Sequence, residues 1–136
     1  MPTLRLSGPP ALSLTLPLAL ALGSSAVACP VKPGTMFHGL IPAVTAFRPE
    51  CGAAYATFTK GASGAKWTEL YVLRPPNDSD ALIRDVLSKL VKTGFKQLSA
   101  VPKGKTMAYV FRKGKADIVV FTKRYPSGVL FTVAGR

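Results

Sequence analysis

Apolar residues recur at helical spacing between Leu82 and Val91, and this pattern limits the possible folds more than any other feature of the chain. It predicts an amphipathic helix with one apolar face, which must pack against another element. The face consists of Leu82, Ile83, Val86, Leu87, Leu90 and Val91. Residues 78–80 (Asp-Ser-Asp) supply an N-terminal cap and negative charge at the positive end of the helix dipole. Gly94 ends the helix and allows Phe95 to fold back towards Leu90.

Runs rich in β-forming residues flank this helix and predict the surface that it covers. Residues 53–59 and Trp67–Leu73 precede it, and the glycine-containing loop 60–65 between them suits a hairpin. Residues 106–112, 117–123 and 129–134 follow it, separated by turn residues at 113–115 and 125–128, and a short additional strand is expected at 96–101. The predicted fold class is α+β: a small antiparallel sheet in ββαβββ order, with one amphipathic helix packed on one face.

The first 52 residues divide into two segments of different character. Residues 1–28 predict a secretory signal peptide, because Arg5 is the only charge before an apolar run that ends in Ala26-Val27-Ala28. The run is shorter than the roughly 20 residues that a membrane-spanning helix needs. Residues 29–52 predict a proline- and glycine-rich arm or tether, whose apolar patch at 36–37 and 40–41 should pack back on the domain. Residues 53–136 then form a single α+β domain.

The position of Cys29, directly after the predicted cleavage site, leaves two outcomes open. An ordinary cleavage would release a soluble chain in which Cys29 and Cys51 pair as a disulfide in an oxidising compartment. Alternatively, residues 25–29 (Ser-Ala-Val-Ala-Cys) resemble the lipobox of bacterial lipoproteins, although Ala26 stands where leucine is typical. That resemblance implies that Cys29 becomes the first residue and is acylated, which would anchor the protein to a membrane and leave Cys51 as a free thiol.

Basic residues supply the one functional hypothesis that has a physical argument. The chain holds 18 Lys and Arg against 6 Asp and Glu, for a formal net charge of +12. Such a charge favours an anionic partner: a lipid surface, a wall polymer or a polysaccharide. The candidate binding residues cluster around the predicted 106–112 and 117–123 strands and their turns: Lys103, Lys105, Arg112, Lys113, Lys115, Lys123 and Arg124. Nucleic acid is not an expected partner for an exported protein.

The titratable residues predict no catalytic site, no metal site and no cofactor. His38 is the only histidine and lies in the predicted arm, so a nucleophile pair with Cys51 lacks an orienting partner. Glu50, Glu69 and Asp117 are scattered along the chain, and no spacing predicts an acid and base pair. Gly104-Lys105-Thr106 resembles the end of a phosphate-binding loop, but a strand follows it where that motif requires a helix.

Export and charge together predict a non-enzymatic binding module of the bacterial cell envelope, which contacts an anionic envelope component through its basic surface. The alternative is an accessory subunit that docks on a larger envelope complex, a role that a flat, exposed apolar patch would favour. An enzyme without a recognisable motif is the third hypothesis.

Overall fold

The computed structural model describes residues 31–75 and 78–136, so the predicted signal peptide and Cys29 lie outside the described residues. Three two-residue strands come first: β1 (Thr35–Met36), β2 (Ile41–Pro42) and β3 (Arg48–Pro49). Helix α1 (Ala53–Gly61), strand β4 (Trp67–Leu73) and helix α2 (Ser79–Lys92) follow. The last four strands form a meander: β5 (Lys96–Lys103), β6 (Thr106–Lys113), β7 (Ala116–Tyr125) and β8 (Gly128–Gly135).

The strands form one six-stranded antiparallel sheet and one small hairpin. The sheet has the order β3-β4-β8-β7-β6-β5, and β1 pairs only with β2. The mixed α+β class with an antiparallel sheet is therefore confirmed. The predicted ββαβββ order with a single helix is wrong, because the described residues contain a second helix, α1, where the first strand was expected.

Residues 53–59 form the first turns of α1 rather than a strand, so the predicted 60–65 hairpin is also wrong. Ala53, Ala54 and Ala56 are strong helix formers, and the Ala56 N–H donates to the Gly52 carbonyl to begin the helix. The β-forming residues Tyr55 and Thr59 instead lie on one side of the helix. Tyr55 and Thr59 lie four residues apart, and both side-chain hydroxyls hydrogen-bond the Thr68 Oγ1, at 2.9 and 3.1 Å. A local preference for strand thus gives way to a contact with β4.

Helix α2 confirms the predicted amphipathic helix. The Asp78 side chain accepts a hydrogen bond from the Ala81 N–H, and Gly94 has a φ of +110°, the left-handed conformation expected beyond a helix end. Ile83, Val86, Leu87 and Leu90 are buried, whereas Val91 is 44% exposed. Together with Phe95, the buried residues cover one face of the sheet, where they join Tyr71, Leu73, Phe111, Ile118, Val120, Val129, Phe131 and Val133 in the core.

Part of the proline- and glycine-rich segment packs into this same core. Met36, Phe37 and Ile41 of the predicted apolar patch are each less than 5% exposed, and so is Phe47 outside the patch, but Leu40 remains 40% exposed. The Phe47 ring makes an edge contact with Phe131, with ring centroids 5.0 Å apart. The core therefore combines residues of the segment with residues of the sheet.

A buried carboxylate holds this segment in place, an arrangement that we call the Glu69 clamp. Phe37 and His38 both have a positive φ, near +55°, which is costly for residues with a side chain. Their N–H groups donate to Glu69 Oε1 and Oε2, at 2.9 and 2.8 Å, and the Tyr71 hydroxyl donates to Oε1 at 2.8 Å. Glu69 is 1% exposed, so these hydrogen bonds replace its hydration.

Because of the clamp, we expect the fold to lose stability at alkaline pH, through the ionisation of Tyr71. Burial raises the pKa of Tyr71 well above its usual value, and the negative charge of Glu69 and the hydrogen bond to it raise it further. The unfolded chain releases this proton near pH ~10 while the folded chain keeps it, so the stabilisation is present below that pH and is lost above it. We expect the free energy of unfolding to fall by up to about 1.4 kcal/mol per pH unit above pH ~10 through this one group.

Urea denaturation of the wild type and of Tyr71→Phe, measured on both sides of that pH, tests this expectation. The variant should start less stable and lose stability less steeply as the pH rises. Tyr125→Phe is the control, because Tyr125 is 46% exposed and should keep the wild-type slope. Equal slopes in all three proteins would contradict the role given to Tyr71.

Candidate binding surface

The predicted basic residues lie at both ends of the sheet rather than in one patch. Lys103 and Lys105 flank the β5–β6 turn, and Lys123 and Arg124 lie near the end of β7 beside it, where the Arg124 N–H donates to the Lys105 carbonyl. Arg112, Lys113 and Lys115 lie at the β6–β7 turn. The two groups are about 20 Å apart, because six residues of β6 separate Thr106 from Arg112.

Three of these residues have partners within the protein. Arg112 makes two hydrogen bonds to the carboxylate of Asp117, at 2.7 and 3.1 Å. The Arg112 guanidinium, through these bonds, holds the pKa of Asp117 below its usual value. Lys113 Nζ donates to the Thr93 carbonyl at the C-terminal end of α2, at 2.8 Å, and Arg124 pairs with Asp80 at the N-terminal end of the same helix. Lys113 and Arg124 thus attach α2 to the sheet.

Alternation along the strands explains which basic residues stay available. Successive side chains of a strand point to opposite faces, so neighbours such as Lys123 and Arg124 separate. Arg124 and Lys113 point to the face that α2 covers. Lys103, Arg112 and Lys123 point to the other face, since Lys103 and Lys123 are both register partners of Thr106, and Arg112 is paired with Lys96 and Asp117.

The face of β5, β6 and β7 that lies opposite α2 is apolar between these basic ends, and we call it the open face. Two rows cross it in register, Val101-Ala108-Phe121 and Ser99-Val110-Val119. Val101 is 44% exposed and Phe121 37% exposed. Helix α1 covers the continuation of the same rows on β8 and β4, where Leu70 is 1% exposed. Within the part of the chain that the structure describes, this face of β5 to β7 stays largely uncovered. The open face is therefore amphipathic, with an apolar centre between basic margins.

An exposed aromatic residue lies at one basic margin of the open face. Tyr125 follows Lys123 by two residues and shares its face, and Lys123 Nζ lies 5.4 Å from the centre of the Tyr125 ring. A tyrosine beside lysines at the edge of an apolar patch is typical of surfaces that meet a boundary between water and an apolar phase.

His38 is part of an aromatic stack. Its ring lies parallel to that of Trp67, with centroids 5.0 Å apart and an interplanar angle of 9°. A hollow of about 530 Å³ beside it is lined by the hydroxyls of Tyr55, Thr59 and Thr68. The hydroxyls of Tyr55 and Thr59 both hydrogen-bond that of Thr68, and Ser63 and Lys66 also line the hollow. Cys51 lies directly before α1 and is half-buried.

Metal-ligating side chains do not gather in groups of three or more anywhere in residues 31–75 and 78–136. None of the helices within those ranges is both long enough and apolar enough to span a bilayer. Comparison of the chain with protein-family models, with curated proteins and with solved structures finds no match. The open face is therefore the feature from which a function can be inferred.

Sequence reasoning found the basic residues but missed the apolar half of the surface. The sequence does not assign Val119 and Phe121 to a face, because residues 117–123 alternate too weakly to show which side is buried. The register supplies that information, since Val119 and Phe121 face away from the buried Ile118 and Val120.

Proposed function

We propose that this chain is an exported, non-enzymatic protein of the cell envelope that contacts an anionic membrane surface through its open face. The observation that supports this proposal is the order of residues across that face, where two apolar rows lie between lysines at both ends. Lys103 and Lys123 flank one end, and Lys96 with Arg112 flanks the other. The formal net charge of +12 would attract the whole molecule to the same surface.

An anionic lipid surface matches both halves of the open face. Its headgroups would neutralise the lysines, with a contribution of about 1 kcal/mol for each basic residue near the surface. Its interfacial layer would remove Val101 and Phe121 from water. A wall polymer or a polysaccharide would offer the charge but would leave these two exposed side chains hydrated. The lipid surface is therefore the preferred anionic partner.

Sedimentation with phosphatidylcholine vesicles, prepared with and without phosphatidylglycerol, tests this contact. We expect the wild type to bind only the anionic vesicles and to be released as the salt concentration rises. Replacing Lys103 and Lys123 with Gln should weaken binding about 30-fold, which corresponds to about 2 kcal/mol for two lysines.

The matched control replaces Lys89 and Lys92, which lie on α2 on the opposite side of the sheet, with Gln. Both double variants lose the same formal charge, so a difference between them reports the location of the contact. Equal losses would mean that overall charge alone drives binding. Binding to an anionic polymer such as poly(glycerol phosphate) but not to vesicles would overturn the choice of lipid.

The β5 edge favours the accessory subunit as a second candidate function. Among residues 31–75 and 78–136, β5 is an edge strand that pairs only with β6, and Leu98 and Val101 on it are 48% and 44% exposed. Such an edge can accept a strand from a protein partner. Co-purification with an envelope complex that survives high salt would favour this role over contact with lipid.

A further inference from the structure

We propose that the groove between α1 and the sheet binds the apolar chain of an anionic amphiphile, such as a fatty acid, with Arg136 as the partner of its headgroup. This inference goes beyond the surface contact proposed above, because it concerns one dissolved molecule held in a cavity. The groove has a volume of about 510 Å³. That is within the range of roughly 300–1,000 Å³ that small-molecule sites occupy.

The groove exists because α1 lies over the sheet without sealing against it. None of the residues of α1 is buried. Its attachment to the sheet runs through the hydroxyls of Tyr55 and Thr59, which both hydrogen-bond Thr68. Phe58 and Gly61 line the groove from the helix side. The sheet beneath this side of α1 is thus left open to a ligand.

The floor of the groove is apolar. Val119 and Phe121 of β7 and Ala134 of β8 form it, together with Thr132. The Thr132 hydroxyl donates to the Phe121 carbonyl, at 3.3 Å, so its hydrogen bond is made within the sheet. A ligand in contact with this floor would find few hydrogen-bonding partners. An alkyl chain fits this floor, and the two hydroxyls on the other side of the groove, of Thr57 and Ser63, are too few to satisfy the polar groups of a sugar or a nucleotide.

Charge then selects among apolar ligands. Of the described residues that line the groove, only Arg136 is charged. Its backbone is fixed by two hydrogen bonds with the backbone of Asp117, at 2.8 and 3.0 Å. The Asp117 carboxylate is hydrogen-bonded through both oxygens to Arg112, which is the main cause of its lowered pKa, and Arg136 acts on it only by a weaker attraction of charge. A guanidinium beside an apolar groove is complementary to a carboxylate or phosphate that ends an alkyl chain.

The groove is also continuous with the open face, since Val119 and Phe121 belong to both. A single-chain amphiphile could therefore enter along the exposed rows. Its head would stay beside Arg136, and its chain would lie between Phe121 and Phe58.

Fluorescence titration with a dansyl-labelled undecanoic acid, below its critical micelle concentration and without vesicles, tests the proposal. We expect saturable binding with enhanced dansyl emission. Ala134→Leu fills the floor and should weaken binding at least about tenfold. Ala100→Leu makes the same change at an exposed position of β5 on the opposite face of the sheet, away from the groove and the open face, and it should bind like the wild type. Ala62→Leu, which fills the groove from the loop after α1, repeats the test should Ala134→Leu fold poorly.

The headgroup has a separate test. Arg136→Gln should weaken binding of the acid about tenfold but leave competition by the uncharged alcohol of equal chain length unchanged. Absence of saturable binding to the wild type would overturn the proposal. So would equal affinities of the Ala134→Leu, Ala62→Leu and Ala100→Leu variants. Because no membrane is present, these results do not depend on the vesicle experiment, and either proposal can fail without the other.

Discussion

Replacing Glu69 with Gln is expected to destabilise the fold by about 3 kcal/mol, although the side chain keeps its shape. Glu69 accepts three hydrogen bonds, from the Phe37 and His38 N–H groups and from the Tyr71 hydroxyl. A glutamine has one oxygen, so its amide NH₂ must face a donor at the other position. One buried or part-buried N–H loses its acceptor, and the remaining bonds lose the assistance of a negative charge.

This loss of stability is larger than that expected for an ordinary hydrogen bond, because of where the bonds lie. Phe37 and His38 adopt a positive φ that costs about 1–3 kcal/mol for each residue, and the carboxylate is what both N–H groups converge on. Without the clamp we expect the β1–β2 hairpin to loosen and Phe37, which is fully buried, to leave the core. The variant should therefore also lose slow hydrogen exchange at Phe37 and His38.

Urea denaturation near neutral pH measures the effect of this substitution. Glu50→Gln is the control, since it makes the same change at a half-buried carboxylate directly after β3 and should stay within about 0.5 kcal/mol of the wild type. An unchanged midpoint in Glu69→Gln would show that the clamp contributes no net stability.

Gly135→Ala should destabilise the protein by about 2 kcal/mol and lower its Tm by roughly 10 °C. A Cβ at Gly135 would overlap the indole ring of Trp67, its register partner on β4. The indole cannot simply move aside, because the ring of His38 stacks on it at a centroid distance of 5.0 Å. Since Trp67 is the only tryptophan in the chain, its fluorescence should change together with the loss of stability.

Two comparisons separate this clash from a general effect of replacing glycine. Gly61→Ala, at the end of α1, meets no atom within 4 Å and should leave stability unchanged or slightly raised. In a Trp67→Leu background, Gly135→Ala should cost much less than in the wild type, because the overlapping ring is gone. An equal cost in both backgrounds would mean that the indole is not the cause.

Local patterns were sufficient to predict the elements whose signals lie within a few residues of one another. Helix α2, with its Asp78 cap and Gly94 end, and strand β4 were predicted close to their observed bounds. Helix α1 was mistaken for a strand because Tyr55, Thr57 and Thr59 favour β structure, whereas the contact that decides the outcome is made with Thr68. That contact depends on the tertiary fold, so no local window reveals it.

The Glu69 clamp and the division of the basic residues between the two faces of the sheet were missed for different reasons. Glu69 was grouped with scattered carboxylates. It is nevertheless spaced by two residues from Trp67 and Tyr71, and by four from Leu73, so it shares their inward face. Two of its three partners, Phe37 and His38, lie more than 30 residues away, and no sequence pattern links them to Glu69. Strand alternation alone places Lys123 and Arg124 on opposite faces of β7. Which of the two faces the helix covers is not visible in the sequence.

Alternate positions of β7 are under different constraints, because one face of the strand packs in the core and the other is directed outwards. Ile118, Val120 and Thr122 are packed against the core, whereas Val119, Phe121 and Lys123 look out from the opposite side. Selection for folding acts on the first set, and selection for recognition can act on the second. The outward set is therefore free to diverge rapidly among descendants of this chain, so that surfaces with new preferences could arise on an unchanged interior.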